Sequence, residues 1–425
     1  MMRRVETRAS LNGSIRVPGD KSASHRAVML SALSSGESTI EGLSPGFDVA
    51  ATSQIMVQLG ANRRDTGGVV VIEGPESGLR MSEQPLWCGN SGTTMRLVSG
   101  IVSTLEGHHR LEGDPSLSRR PMDRVAVPLG LMGSVVTGEG SRVTPPLSIV
   151  GSASLHGIDY HVPTASAQVK SAILLAGLCA EGPTTVHEDV RTRTTTEDML
   201  RLAGVEVTSQ DVGDGRRVTL SPRRPRAQAW RVPTDPSQAA FFCVLGLIHP
   251  HADIEVVDVE DSVERIGFVR VLQRMGADLV ERPGASGVTL RARSSSLQAT
   301  EIHASEIPSV DEVPVLSVAA AAAQGVSAFR DMGELRLKES DRFEGSMSLA
   351  RLLGCRVWSE GDDFFIEGLA SAGAFQSFAI KAGLDHRIVM SSAVAGAAGH
   401  GCDIDGSDTV GSSYPGFFDD VASLR

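Results

Sequence analysis

Lysine is scarce enough in this chain for each one to carry information. Of 40 basic residues only Lys21, Lys170, Lys338 and Lys381 are lysine, so arginine occupies most positions where a generic positive charge suffices. A lysine offers a compact, tunable ammonium that the planar fork of arginine does not, and positions needing it resist exchange. Lys21 stands in DKSASHRA beside Ser22 and Arg26, and Lys338 in LRLKESDR (335–342) beside Glu339. If the latter segment begins a helix, Lys338 and Arg342 lie four apart on one face with Glu339 three from Arg342, so two cations and a carboxylate share a surface. The plain alternative is a solvated ion-pair face worth about a few tenths of a kcal/mol. The scarce lysine favours function here, whereas for Lys170 and Lys381 chance retention is the preferred reading.

These residues need elements to position them. Six apolar segments rich in Ala, Gly and Ser are each opened by small polar residues: DKSASHRAVMLSAL, GNSGTTMRLVSGIV, TASAQVKSAILLAGL, TDPSQAAFFCVLGL, SVDEVPVLSVAAAAA and LDHRIVMSSAVAGAA. They read as helices buried on all sides. Helix N-termini present unpaired N–H groups and the positive end of the dipole, so they suit anions. Any single opening is adequately explained as an N-cap. The set is not, because Lys21, Ser22, Arg26, Asn90, Gly92, Arg96, Arg120, Ser166, Gln168, Asp311, His386 and Arg387 all fall in or near such openings. That pattern points to a cleft for multiply charged small molecules, with phosphate or carboxylate as the ligand chemistry.

Between the openings, a second helix ending in a Leu/Met-Gly pair or a close variant recurs at Gly60, Gly133, Gly204, Gly276 and Gly354, at steps of 71 to 78 residues. Each glycine fits a left-handed helix cap, followed by a β-branched or alternating strand. Six openings match five caps plus a truncated last helix, FFDDVASL. Two helices with several short strands, repeated six times, predict two domains of three units, with a seam near Thr234. Spacing alone does not place the strand within residues 1 to 19.

The composition narrows the class. A chain of 425 residues with 41% hydrophobic and 21% charged residues reads as a soluble globular protein of two domains. It has no apolar run of about 18 residues to span a membrane and no secretory h-region, so the expected location is cytoplasmic. The net charge of −11 and an aromatic content of 4% argue against a nucleic-acid partner. Cys88, Cys179, Cys243, Cys355 and Cys402 are scattered and odd in number, which argues against a disulfide framework or a structural zinc.

The segments VPGDKSASHRA (17–27), GNSGTTMR (89–96), RRPM (119–122), ASAQVKSA (165–172), VDEVP (310–314), LKESDR (337–342) and DHR (385–387) resemble, in order and over essentially the whole chain, the motifs of 5-enolpyruvylshikimate-3-phosphate synthases. The resemblance implies an α/β fold: a two-domain inside-out α/β barrel of six βαβαββ repeats, three per domain, with the active site in the interdomain cleft. The domains are then 20–234 and 1–19 plus 235–425. It implies transfer of the enolpyruvyl group of phosphoenolpyruvate to the 5-hydroxyl of shikimate 3-phosphate through a tetrahedral ketal, in a cytoplasmic monomer with no metal and no cofactor.

By the same resemblance, Lys21, Asn90, Gly92, Arg120, Gln168, Arg342 and Arg387 hold phosphoenolpyruvate, and Lys21, Ser22, Arg26, Ser166, Ala167, Gln168, Arg193, Asp311 and Lys338 hold shikimate 3-phosphate. Asp311 takes the hydroxyl proton, Glu339 delivers one to the methylene carbon, and Lys21 and Lys338 offset charge. The division of proton transfer among Lys21, Lys338 and Glu339 stays open. Two departures stand out. Members commonly read Ser-Arg-Asp-His-Thr-Glu where this chain has Thr192 to Glu197, which bears on shikimate 3-phosphate affinity. Some carry a lysine before an aromatic-Pro pair where this chain has Ser412-Ser413.

The sister family, UDP-N-acetylglucosamine enolpyruvyl transferase, usually bears a reactive cysteine in the loop equivalent to GDPSLSRRP (113–121), which has none. A paralogue acting on a different cyclic alcohol and an inactive anion-binding relative are the two further readings that these motifs allow.

Overall fold

The computed structural model describes residues 1–284, 287–307 and 309–425. The chain divides into two units, one formed by Lys21–Val232 and the other by Met1–Asp20 with Pro233–Arg425; they are called here the central and the flanking unit. The central unit holds helices α1 (Lys21–Leu33), α2 (Phe47–Gln58), α3 (Gly92–Val102), α4 (Asp123–Leu131), α5 (Ala167–Gly177) and α6 (Thr195–Leu202). The flanking unit holds α7 (Pro236–Ile248), α8 (Gly267–Arg274), α9 (Val313–Ala322), α10 (Arg342–Leu352), α11 (His386–Ala398) and α12 (Phe417–Ser423).

The odd-numbered helices are the six apolar segments, and their composition explains their burial. Every residue of α7, α9 and α11 is buried, as a helix without a polar stripe requires. Small residues allow close approach: a methyl on Gly100 of α3 would collide with the Ala172 carbonyl of α5. The helices α2, α4, α6, α8 and α10 end at the recurring glycines. Gly60, Gly133, Gly204, Gly276 and Gly354 all have positive φ, between 77° and 114°, the left-handed turn that a residue with a Cβ enters at a cost of about 1–2 kcal/mol.

Each repeat centres on one sheet. In the second repeat the strands Leu86–Trp87, Gly107–Glu112, Thr144–Gly151 and Val135–Glu139 lie in that order, the first pair parallel and the others antiparallel. Six sheets of this kind occur among the described residues, five with four strands and one with three. The three-stranded sheet belongs to the sixth repeat, where Met2–Val5 pairs antiparallel with Cys402–Asp405.

Two strands are exchanged along the chain. Leu11–Ile15, which precedes α1, pairs in parallel with Ala252–Val259 in the flanking unit. Ala229–Arg231, which precedes α7, pairs in parallel with Gly36–Glu41 in the central unit. Each sheet is therefore complete within one unit, and each unit has its own hydrophobic core. In the flanking core Phe241, Phe242, Tyr414 and Phe417 form edge-on and tilted ring contacts at 5.6 to 6.1 Å, and rings of that size dominate core burial. Within the flanking unit the segments ending at Asp20 and beginning at Pro233 pair with each other, Asp20 N donating to the Pro233 carbonyl at 2.7 Å and Asp235 N to the Pro18 carbonyl at 2.9 Å. Buried Arg265 binds both, with Nη1 2.6 Å from Asp20 and Nη2 2.9 Å from Asp235.

Candidate active site

In the central unit the polar side chains collect at the N-termini of α1, α3 and α5 and on the loops leading into α4 and α6. Lys21 is the first residue of α1, and its ammonium lies 3.0 Å from Asp48 in the first turn of α2. One turn on, buried Arg26 donates to the Ser22 carbonyl at 2.9 Å, the Thr196 hydroxyl at 2.5 Å and the Ser171 hydroxyl at 2.6 Å. Arg193, on the loop before α6, donates to the Ser22 hydroxyl at 3.3 Å. Ser166 caps α5, accepting from the Val169 N–H at 3.4 Å, and Ala167 is the first residue of that helix.

A second group surrounds the start of α3. Arg120 donates to the Asn90 side-chain oxygen at 2.5 Å, and the Asn90 amide donates to Asp114 at 2.6 Å. Gln168 accepts from Arg96 at 2.8 Å and donates to Thr93 at 2.9 Å, which fixes its amide orientation. A Cβ on Gly92, the first residue of α3, would lie 2.7 Å from Arg96 Nη1 and 3.1 Å from Arg120 Nη1. Two guanidinium tips thus converge on one helix N-terminus, an arrangement suited to a phosphate or carboxylate.

In the flanking unit Arg342 is the organising residue. It is 1% exposed and meets three carboxylates: Asp311 at 2.9 Å, Glu339 at 2.6 Å and Asp385 at 2.8 Å. Burial opposes its charge, but Asp385, Glu339 and Asp311 together outweigh that and raise the guanidinium above its ordinary value. Arg387 reaches the other oxygen of Asp311 at 3.5 Å. Burial pushes Asp385 up, yet the Arg342 charge prevails and holds it below the usual carboxylate range. Burial lowers the Lys338 ammonium below the lysine range, against Asp311 and with Arg342 adding to the shift. The cluster can grip an anion, present an aligned carboxylate as proton acceptor and lend charge from a softened ammonium.

Two expectations change. The segment 335–342 does not begin a helix: a 3-10 turn covers Met332–Leu337, and α10 starts at Arg342 because Asp341 caps it by accepting from the Glu344 N–H at 3.0 Å. Lys338 and Glu339 precede the helix, and Glu339 still reaches Arg342 from the loop; a solvated face is ruled out by the burial of Arg342. Lys170 is not a chance survivor, since it is fully buried between Glu188 at 2.8 Å and Glu197 at 2.7 Å.

Sequence reasoning also assigns no role to Asp385. It is fully buried, holds Arg342, accepts from Ser340 at 2.8 Å and caps α11 through the Arg387 N–H at 2.9 Å. An acid immediately before an apolar helix is the signal that could have marked it. Among the described residues no group of three or more His, Cys, Asp or Glu side chains is placed to hold a metal ion, and no helix is long and apolar enough to cross a membrane.

The whole chain has relatives of known name. A protein 42% identical, from Synechococcus sp. (strain RCC307), is called 3-phosphoshikimate 1-carboxyvinyltransferase; the match covers 98% of this chain and 97% of that one. A protein of the same name from Streptococcus equi subsp. zooepidemicus (strain MGCS10565) is 37% identical over 99% of each. The solved structure of EPSP synthase from Acinetobacter baumannii superposes with a TM-score of 0.85 at 36% identity, over 99% of this chain and 98% of that one. The family model for EPSP synthase (3-phosphoshikimate 1-carboxyvinyltransferase) matches residues 5–421, and the chain belongs to that family.

Proposed function

We propose that this protein transfers the enolpyruvyl group of phosphoenolpyruvate to the 5-hydroxyl of shikimate 3-phosphate and releases phosphate, a step of aromatic amino acid biosynthesis. The observation that carries the reading is the cluster of Asp311, Glu339, Asp385 and Arg387 around Arg342, in a chain that matches the family model over nearly its full length.

The roles divide between two anionic substrates. Arg342 and Arg387 hold phosphoenolpyruvate through their planar forks, with Lys21, Asn90, Arg120 and Gln168 completing the contacts and Gly92 leaving room. Ser22, Arg26, Ser166, Ala167, Gln168 and Arg193 hold shikimate 3-phosphate, while Lys21, Asp311 and Lys338 reach its polar groups. Asp311 accepts the proton of the 5-hydroxyl as that oxygen bonds to C2 of the enol, and Glu339 delivers a proton to C3. The ketal then loses a C3 proton to the Glu339 carboxylate, the C2–O bond to phosphate breaks, and the Asp311 proton leaves with the phosphate. Lys21 and Lys338 offset the negative charge gathered during both steps. Arg342 and Arg387 each hold one oxygen of Asp311, which fixes the orientation of its carboxylate.

The five free thiols support a reducing, cytoplasmic setting, and a monomer is the expected form, checked by gel filtration. The reaction is tested by phosphate release from phosphoenolpyruvate with and without shikimate 3-phosphate, beside Glu339→Gln. Acceptor-dependent release is expected, with kcat falling by about 10²–10⁴ in the variant. Tight donor binding without release in the unmodified protein would instead mean that the Thr192–Glu197 exchanges direct it to another acceptor.

A further inference from the structure

Lys170 lies in the opening turn of α5, a largely apolar helix, where an ammonium has no solvent to reach. Its side chain and those of Glu188 and Glu197 are all 0% exposed. Three elements meet there: α5, the end of the strand Thr184–Glu188, and the first turn of α6. Two carboxyl groups thus flank one ammonium, and Glu197 sits at a helix N-terminus, where the dipole favours negative charge. Buried Arg26 supplies a further positive charge nearby, since its fork bonds Thr196 and Ser171, the chain neighbours of Glu197 and Lys170.

The connections run from this triad to the residues assigned to the acceptor. Thr192 donates its hydroxyl to the second oxygen of Glu188, which ties down the loop from 189 to 194 immediately before Arg193. Arg193 in turn reaches the Ser22 hydroxyl. Ser171, next to Lys170, shares a hydrogen bond of 2.6 Å with Thr196 while both meet Arg26. Ser166 and Gln168 lie on the opening turn of the same helix as Lys170. Arg120, Asn90 and Gly92 are held by a separate set of contacts around α3.

We propose that Lys170, Glu188 and Glu197, acting through Thr192, form a positioning triad for the acceptor half of the site, setting Arg193, Arg26 and Ser166 while leaving the phosphoenolpyruvate contacts around α3, Asn90, Gly92 and Arg120, to other supports. The inference rests on the functional reading above and deepens it. Removing an ammonium from between two buried carboxylates endangers the fold itself, so Lys170→Met alone is a poor test. Thr192→Val is nearly isosteric and cuts only the link between the triad and the Arg193 loop, and Thr192→Ser restores the hydroxyl.

The experiment is a two-substrate kinetic analysis of the full chain, wild type against Thr192→Val and Thr192→Ser, with thermal unfolding alongside. Thr192→Val is expected to raise KM for shikimate 3-phosphate about tenfold, the loss of one hydrogen bond to a charged group. KM for phosphoenolpyruvate and kcat should stay within about twofold, and Thr192→Ser should return to wild type. Equal changes in both KM values, or a lower melting temperature with an unchanged acceptor KM, would make the triad structural only and overturn the proposal. Wild-type protein that releases no phosphate with this acceptor would overturn the functional reading itself, and this inference with it.

Discussion

At the scale of single residues, Gly92 shows how little space there is at the start of α3. Its missing Cβ would sit 2.7 Å from Arg96 Nη1 and 3.1 Å from Arg120 Nη1, so Gly92→Ala must push the tips of two flexible side chains rather than backbone. The variant should therefore fold normally and raise KM for phosphoenolpyruvate a few-fold. Initial rates at saturating shikimate 3-phosphate would show this, and an unchanged KM for phosphoenolpyruvate would exclude the crowding. Residues of this kind are legible because their types are unusual in an arginine-rich chain or their motifs are long: Lys21, Lys338, Asp311 and Arg342 all stand out in the sequence. Lys170 is equally rare, yet nothing local marks its role. Its partners Glu188 and Glu197 lie on other elements, and only folding brings them to it; the available clue is a charge in a helix with no polar face.

At the scale of elements, the helix caps are readable because left-handed glycines leave a mark in sequence. All five recurring glycines take positive φ. The start of α10 is not readable from side-chain spacing, because Asp341 as a cap outcompetes the four-residue periodicity of 335–342. Packing between elements also governs pH response. His25 of α1 contacts Thr52 of α2 through Nδ1 at 2.7 Å, and burial, reinforced by Lys21 and Arg26, pushes its imidazole well below the ordinary range.

Above about pH 6.5 the ring is neutral both folded and unfolded, and it contributes nothing to pH dependence. Below that, the unfolded chain takes up a proton that the folded one refuses, so stability falls as pH falls, by at most about 1.4 kcal/mol per pH unit. Urea midpoints measured from pH 7.5 to 5.5 should decline more steeply in wild type than in His25→Asn; parallel declines would mean that other groups carry the response.

At the scale of the whole molecule, the repeats predict the number of elements better than their partners. Spacing cannot say where Leu11–Ile15 pairs, since a strand's neighbour is chosen by tertiary packing, and the exchange of that strand with Ala229–Arg231 has no local signature. The exchange gives the central unit every strand of its three sheets and a core of its own. The fragment Lys21–Val232 produced alone is therefore expected to fold, giving a mixed α/β circular dichroism spectrum and a cooperative urea transition. A non-cooperative transition would show that its core depends on the rest of the chain.

Translation gives that exchange a schedule. Residues up to Asp20 leave the ribosome before the central unit, yet Leu11–Ile15 must wait for Ala252–Val259, and Met2–Val5 for Cys402–Asp405, both made after it. At about 5–20 residues per second, the central unit can close while the leading strands still trail unpaired and the flanking unit is only beginning to emerge. Strands made before the central unit find their partners only after it is complete, which makes them a place where a nascent chain is open to chaperones and to mispairing.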